Sequence, residues 1–447
     1  MGLAALPSEL LREVLIRAVR GATTDRVAEL LSVCKLFRCE IKICSVNHAT
    51  QAKPDANQPL KLQDCTALKS LVVDGRTTSL GTQHFAQSGT AVAVQALTSL
   101  TVLLPPSELS EPYWLEIEGI INAAPALAVV VLENAPATLI TCLSSLRALI
   151  SLRFTNQQIV TQLPSDSLEL VNSIMHLTAL QDLYLSCHGL HQLPDSIGQL
   201  TALQTLSLND CRYLIGLPDS IGQLTALQAL SLTDCRDATI LPDSIGQLTA
   251  LQTLDLAGCS GLKGLPESIG HLDSLQTLYL ASCRCLIRLP DSIGQLTALQ
   301  TLDLDNCGSL VGLPDSIGQL TALQALSLTD CSDLASLPDS IGQLTALTML
   351  ELGRSKSFKV SIVMLAFTRY TGPTALPDSI GYLTALKSLS LYHCSGLVDL
   401  PDSIGHLNAL QTLDLRHCSG LAGLPNSIGH LTAVLVLVLS VIVTQPV

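Results

Sequence analysis

From Leu203 onward the apolar positions of the chain keep one rhythm. Leu203, Leu206 and Leu208 are spaced LxxLxL, Cys211 follows in the ninth place, and polar residues fill most of the positions between. Alternation of this kind puts the leucines on one face of a short strand and the intervening residues on the other. The next stretch, LPDSIGQLTA, opens on a Pro that fixes the chain as it leaves the turn. Asp and Ser then stand where they would cap a short helix, whose Ile and Leu pack beneath the strand. This 24-residue block restarts at Leu227, Leu251, Leu275, Leu299 and Leu323, and continues in varied form to Val434. A unit so small has no core of its own and gains one only by stacking on its neighbours, so the pattern predicts a solenoid of parallel strands with short helices behind them.

Upstream the rhythm is eroded. LKSLVV from Leu68, LTSLTV through Leu100, LAVVVL from Leu127 and LISLRF from Leu149 read as degenerate units over residues 67–179, with Trp114 in an irregular stretch where packing is its expected role. The regular units occupy residues 180–447. They are broken once: Leu347 and Leu386 lie 39 residues apart in place of 24, so 15 residues are inserted within residues 353–374. The insert is basic (Arg354, Lys356, Lys359, Arg369) and carries Phe358, Phe367 and Tyr370 in a chain otherwise poor in aromatics. It reads either as a contact loop for an acidic partner or as one eroded repeat.

Residues 1–45 have a different period. Leu6, Pro7, Leu10, Leu11, Val14 and Leu15 fall at helical spacing, as do Val27, Leu30, Leu31 and Val33, and residues 46–66, with Pro54, Asp55, Asn57 and Pro59, read as a polar linker. A helical unit of this size has too little core to stand alone.

Composition narrows the function. Hydrophobic residues are 48% and charged residues 14%, a core-forming chain and not a disordered one. The net charge is -13, and since residues 1–60 sum to +2 the remainder carries -15. So acidic a body is a poor general binder of nucleic acid or anionic membrane, and neither is expected as a partner. The longest apolar run, Ala433 to Val443, is about half of the roughly 20 residues a membrane span needs and reads as the last strand. Pro7 and Glu9 break any signal-peptide pattern and there is no Asn-x-Ser/Thr sequon, which points to the cytoplasm or the nucleus.

Fifteen cysteines invite a disulfide or metal reading, yet Cys211, Cys235, Cys259, Cys283, Cys307, Cys331, Cys394 and Cys418 hold one place in successive units. That is a turn-closing position, and it lacks the paired spacing zinc requires. The carboxylates at Asp195, Asp219, Asp243 and their equivalents recur once per unit between Pro and Ser, unlike the dense acidic loop of a calcium site. No phosphate-binding GxxxxGK, Gly-x-Ser-x-Gly or His-Glu-x-x-His pattern occurs, so no catalytic residue, metal or cofactor is expected and the chain reads as non-enzymatic.

The block LPDSIGQLTALQTLDLxxC is similar to the leucine-rich repeats of plant-type and intracellular Ras-group proteins. That resemblance implies an α/β solenoid, a curved horseshoe with a parallel sheet on its concave face and short helices on its convex face. The strings LPSELLREVL (Leu6 to Leu15) and VCKLFR (Val33 to Arg38), with Asp25 between them, resemble an F-box, although Phe37 stands where that family has Trp. The resemblance implies a small N-terminal helical unit that docks a Skp-type adaptor of a cullin-RING ubiquitin ligase through Leu6, Pro7, Leu10, Leu11, Val14, Leu15, Val33 and Phe37. The alternative is that these helices only cap the array, in a stand-alone scaffold or immune-type sensor. In either case the outward positions between the leucines are where a protein target would be held. The candidates are Tyr279, Asp303, Asp305, Glu351, Arg354, Tyr392, His393, Asp414, Arg416 and His417, with Phe358, Lys359 and Tyr370 of the insert. Aromatic and Arg side chains are the usual anchors of such contacts.

Overall fold

Wherever the structure describes the chain, the apolar alternation is strand. The computed structural model describes residues 41–44, 70–74, 97–103, 111–135, 138–156, 171–354 and 371–439. These fall in two units, one ending at Ser186 and one beginning at Cys187. The F-box-like residues, most of the linker and residues 355–370 of the insert lie outside the described residues.

In the first unit the eroded motifs become parallel strands in chain order: β1 (Ile41–Cys44), β2 (Ser70–Asp74), β3 (Ser99–Leu103), β4 (Val129–Glu133) and β5 (Ser151–Asn156). β6 (Asp182–Cys187) runs up to the boundary. One register row reads Leu71, Leu100, Val130, Leu152, which shows that unequal spacing in sequence has left the pairing intact. Two expectations change here. Ile41–Cys44, assigned above to helices, is strand, because Ile41 and Ile43 alternate with Lys42 at period two. The stretch around Trp114 is not irregular but a helix, α1 (Glu111–Ala123), whose Ile117, Ile120 and Ile121 are buried; α2 (Thr138–Leu143) makes the next return.

In the second unit the period is strict. β7 (Thr205–Ser207), β8 (Ala229–Ser231), β9 (Thr253–Asp255), β10 (Thr277–Tyr279) and β11 (Thr301–Asp303) are three residues each. They continue into β12 (Ala325–Thr329), β13 (Met349–Gly353), β14 (Ser388–Ser390), β15 (Thr412–Leu415) and β16 (Val436–Leu439). Every pair is parallel, and Leu254, Leu278, Leu302 and Leu326 share one row. The unit at Leu299 shows the core: Leu299, Leu302, Leu304, Cys307, Leu310, Ile317 and Leu320 are wholly buried. A buried Leu or Ile contributes about 1.5–3 kcal/mol, and nearly all of that burial is against the adjoining units.

The returns are tighter than α-helix. Each is a five-residue 3-10 turn such as Asp315–Gln319, opened by Pro314, whose carbonyl accepts from Ile317 N–H at 3.0 Å. Contrary to the capping expectation, Pro holds the cap position and neither Asp nor Ser makes a side-chain cap bond. The Asp is the first residue of the turn, where a carboxylate faces the unpaired N–H groups. The Ser side chain instead turns inward: Oγ of Ser220, Ser244, Ser268, Ser292, Ser316 and Ser340 is buried with no hydrogen-bond partner. Beside it the following turn sits so close that a Cβ on Gly318 would lie 2.6 Å from Ser340 O and 2.9 Å from Ser340 Cβ.

Two neighbouring residues should therefore answer oppositely in urea unfolding. Gly318→Ala should lower stability by about 1–3 kcal/mol, because backbone cannot move aside as a side chain can. Ser316→Ala removes a hydroxyl with no partner and should leave stability unchanged or raised. A loss at Ser316 equal to that at Gly318 would contradict this packing.

Candidate functional site

Two backbone devices fix where polar groups stand on the strand side of the second unit. The first is the eighth position, left-handed in every unit from Leu203 to Leu410 except that at Leu347: φ is 60° at Asp210, 58° at Asn306, 66° at His393 and 61° at His417. Gly, Asn, Asp and His tolerate this region best, and those types, with Ser282, occupy it. The second is the thiol row at the ninth position. Cys235, Cys259, Cys283, Cys307 and Cys331 each donate Sγ–H to the carbonyl of Leu208, Leu232, Leu256, Leu280 and Leu304 in the preceding unit, at 3.1–3.2 Å. Burial pushes these thiols far up; Cys211 and Cys259 reach about 12 and Cys418 about 11. Thiols so held are not nucleophiles at neutral pH. Among the described residues no group of three or more His, Cys, Asp or Glu is placed to hold a metal.

On the outward face the fifth positions form a row in strand order: Asp255, Tyr279, Asp303, Ser327, Glu351, Ser390, Asp414. The acids occupy every second strand, roughly 10 Å apart, with a neutral residue between each pair. Directly opposed like charges are destabilising, and this alternation avoids them. The seventh position adds Asp305. Its Oδ1 accepts from Ser327 Oγ at 2.5 Å and from Thr329 N–H at 2.9 Å, while its own N–H donates to Asp303 Oδ1 at 2.9 Å. Ser327 Oγ also stands 3.4 Å from Glu351 Oε2. Partial burial raises the Asp303 carboxyl above its ordinary value, and the nearby charges of Asp305, Asp255 and Glu351 raise it further. No Lys or Arg among the described residues pairs with these four acids.

The last two full units carry different chemistry. Arg416 lies over the ring of Tyr392 at 5.1 Å, and the rings of His393 and His417 are 5.7 Å apart, with Tyr392 edge-on to His417 at 5.5 Å. Asp414, expected to face a target, is instead 2% exposed. It accepts from Arg416 Nε at 3.0 Å and Nη2 at 2.8 Å, so its place is to hold the guanidinium over Tyr392. His393 Nδ1 is buried without a hydrogen-bond partner.

The structure thus divides the candidate residues into two groups. Tyr279 stands in register between Asp255 and Asp303 and belongs with the acids Asp303, Asp305 and Glu351. Tyr392, His393, Arg416 and His417 form the second group. Arg354 lies between them, 3.8 Å from Asp330. Asp330 and the bridging Ser327 were missed in sequence; their places in the eighth and fifth positions were the available signal.

Arg354 also roots the insert. Its N–H donates to Tyr392 O at 2.7 Å, and on the far side Thr371 O accepts from Gly396 N–H just as Gly308 O accepts from Asp333 N–H two units earlier. The extra residues therefore enter between the eighth and ninth positions, where the chain leaves the strand face, and they displace no repeat. Phe358, Lys359 and Tyr370 lie outside the described residues.

A family model described as leucine-rich repeat region matches residues 234–306 and 282–369, and a second leucine-rich repeat model matches residues 409–431. Over residues 234–369 and 409–431 the repeats of the array are similar to leucine-rich repeats. No curated protein matches the chain. Among solved structures, the leucine-rich repeat domain of the type III effector XopL is similar at 29% identity over 51% of this chain and 73% of its own, with a TM-score of 0.39. A leucine-rich repeat protein of Leptospira interrogans is 24% identical over 85% and 99%, at 0.35, and the Toll–Spatzle complex of Drosophila 18% over 78% and 50%, at 0.47. No helix among the described residues is long and apolar enough to cross a membrane.

The thiol row gives a test with a definite sign. The unfolded chain releases thiol protons from its ordinary value of 9.0, whereas Cys211 and Cys259 in the fold hold theirs to about 12. Below 9 both states keep the protons and the row adds no pH dependence; between 9 and 12 the folded state binds more, so stability should fall as pH rises. At neutral pH an alkylating reagent should modify the exposed Cys285 and leave Cys211, Cys235, Cys259, Cys283, Cys307 and Cys331 intact, read by peptide mass spectrometry. Equal labelling of the buried row in folded protein would contradict the assignment.

Proposed function

We propose that this leucine-rich repeat protein is a non-enzymatic recognition subunit that holds a protein target on its outward strand face. The observation that carries the reading is the contrast between the two sides of the same strands. Inward positions repeat the same Leu and Cys from unit to unit, as stacking demands, whereas outward positions diverge into an acidic row and an aromatic, imidazole and Arg group. A target segment with basic side chains would lie along Asp255, Asp303, Asp305 and Glu351, relieving their mutual repulsion. Tyr392, His393, Arg416 and His417 would anchor it at the other end.

The N-terminal resemblance assigns the subunit a place. As substrate receptor of a cullin-RING ubiquitin ligase, in the cytoplasm or the nucleus, the protein would present Leu6, Pro7, Leu10, Leu11, Val14, Leu15, Val33 and Phe37 to a Skp-type adaptor and leave the repeats free for the target. A stand-alone scaffold or sensor would use the same face without an adaptor.

Pull-down with a Skp-type adaptor separates the two. The wild-type chain should retain the adaptor, and Leu10→Ala with Leu11→Ala should abolish retention while the circular dichroism of the array stays unchanged. Absence of wild-type binding, or binding that survives the double substitution, would leave the scaffold reading in place of the receptor.

A further inference from the structure

The residues between the ninth-position Cys and the Pro of each turn form a flank with a chemistry of its own. A second ladder stacks them: the N–H groups of Thr239, Lys263, Ile287 and Val311 donate to the carbonyls of Ile215, Thr239, Lys263 and Ile287 in the preceding units, at 3.1–3.4 Å. Ile215 to Val311 therefore stand in one row, about 5 Å apart and roughly 20 Å from end to end.

Charge is sorted onto this flank. Residues 203–322 contain five Lys or Arg, and all five lie here: Arg212, Arg236, Lys263, Arg284 and Arg288. Each is exposed. The same residues contain 12 Asp or Glu, of which only Asp237 falls on the flank. Arg212 stands 3.9 Å from Asp210; the other four cations pair with no carboxylate among the described residues.

Apolar groups are sorted the same way. Six large apolar side chains of residues 203–322 are exposed, and five of them, Tyr213, Ile215, Ile240, Ile287 and Val311, are on the flank. Stacking does not ask for them, since Thr239 and Lys263 fill the same place in the row as Ile215 and Ile287. The apolar strip is interrupted at Lys263, whose stem is itself apolar.

Charge complementarity selects the occupant, which must carry carboxylates beside an apolar stripe. Acids border the flank, as the contact of Arg212 with Asp210 shows, so an anionic membrane plane would press against them as well. A helix about 10 Å across would meet the flank alone, and its advance of about 5.4 Å per turn matches one turn to one unit.

We infer that this flank docks an acidic amphipathic helix of a partner protein, its apolar stripe along Ile215, Ile240, Ile287 and Val311 and its carboxylates against Arg236, Lys263, Arg284 and Arg288. The contact is separate from the target held on the strand face. The probe is a fluorescent peptide of about 15 residues with Leu at helical spacing and Glu on either side, set against a scrambled peptide of the same composition. By fluorescence anisotropy the full chain should bind it at least about tenfold more tightly than the scrambled one. Arg236→Glu with Arg284→Glu, and separately Ile287→Ser with Val311→Ser, should each weaken binding by about tenfold or more while far-ultraviolet circular dichroism stays that of the parent. No binding, equal binding of the scrambled peptide, or binding that survives both pairs of substitutions overturns the inference. So does retention on phosphatidylserine vesicles that the Arg pair abolishes, which would give the flank to a membrane. Should the variants fail to fold, hydrogen exchange of the wild type decides: saturating peptide should slow amides of residues 236–240 and 284–288, and protection confined to other segments overturns the inference.

Discussion

The structure depends on a burial problem that no repeat can solve alone. A unit such as that at Leu299 puts three strand leucines, a thiol and the apolar residues of its 3-10 turn on one side, and only the adjoining unit removes them from water. Stacking must therefore be in register, and register copies every residue onto its counterpart at strand spacing. A repeated group is tolerable only if it can stand beside itself. Leu and neutral Cys can. Gly beside Ser in the turns can, because neither needs more room than the stack leaves.

Charge on the strand face does not repeat from unit to unit, in contrast to the acid that opens almost every turn. The fifth-position acids fall on alternate strands, and where an acid is buried, at Asp414, Arg416 covers it with two hydrogen bonds. The same logic explains why the thiol row is inert: each Sγ–H is spent on a Leu carbonyl of the unit before, and burial keeps the proton in place. The frame is thus chemically silent by construction. What remains variable is what stacking does not fix, namely the outward positions, the place where the insert enters and the flank after the ninth position.

Much of this was legible in sequence because a repeat amplifies a weak signal. A single LxxLxL is ambiguous, but its recurrence every 24 residues implies the strands, their parallel order and the buried ninth position. The turns were less legible. Pro-Asp-Ser reads equally as a capped helix or as a Pro-capped 3-10 turn with Asp inside it, and only the backbone distinguishes them. At the site, Tyr392, His393, Arg416 and His417 stood out as departures from the repeat and do cluster. Asp414 stood out for the same reason but lies beneath Arg416, a burial that alternation alone could not reveal. Asp330 and Ser327 went unnoticed because they resemble their neighbours in sequence; their part in the network comes from register.

The central claim is that stability resides in the repeated positions and recognition in the departures, and a graft separates them. Tyr392→Thr, His393→Asp, Asp414→Ser, Arg416→Thr and His417→Asp would give the last two full units the fifth, seventh and eighth residues of the unit at Leu323. Thermal unfolding and quantitative affinity purification should then be run side by side on the native and grafted chains. The account predicts an unfolding temperature close to native together with loss of the proteins that co-purify specifically with the native chain. A grafted protein that unfolds like the native one and still captures the same proteins would contradict it.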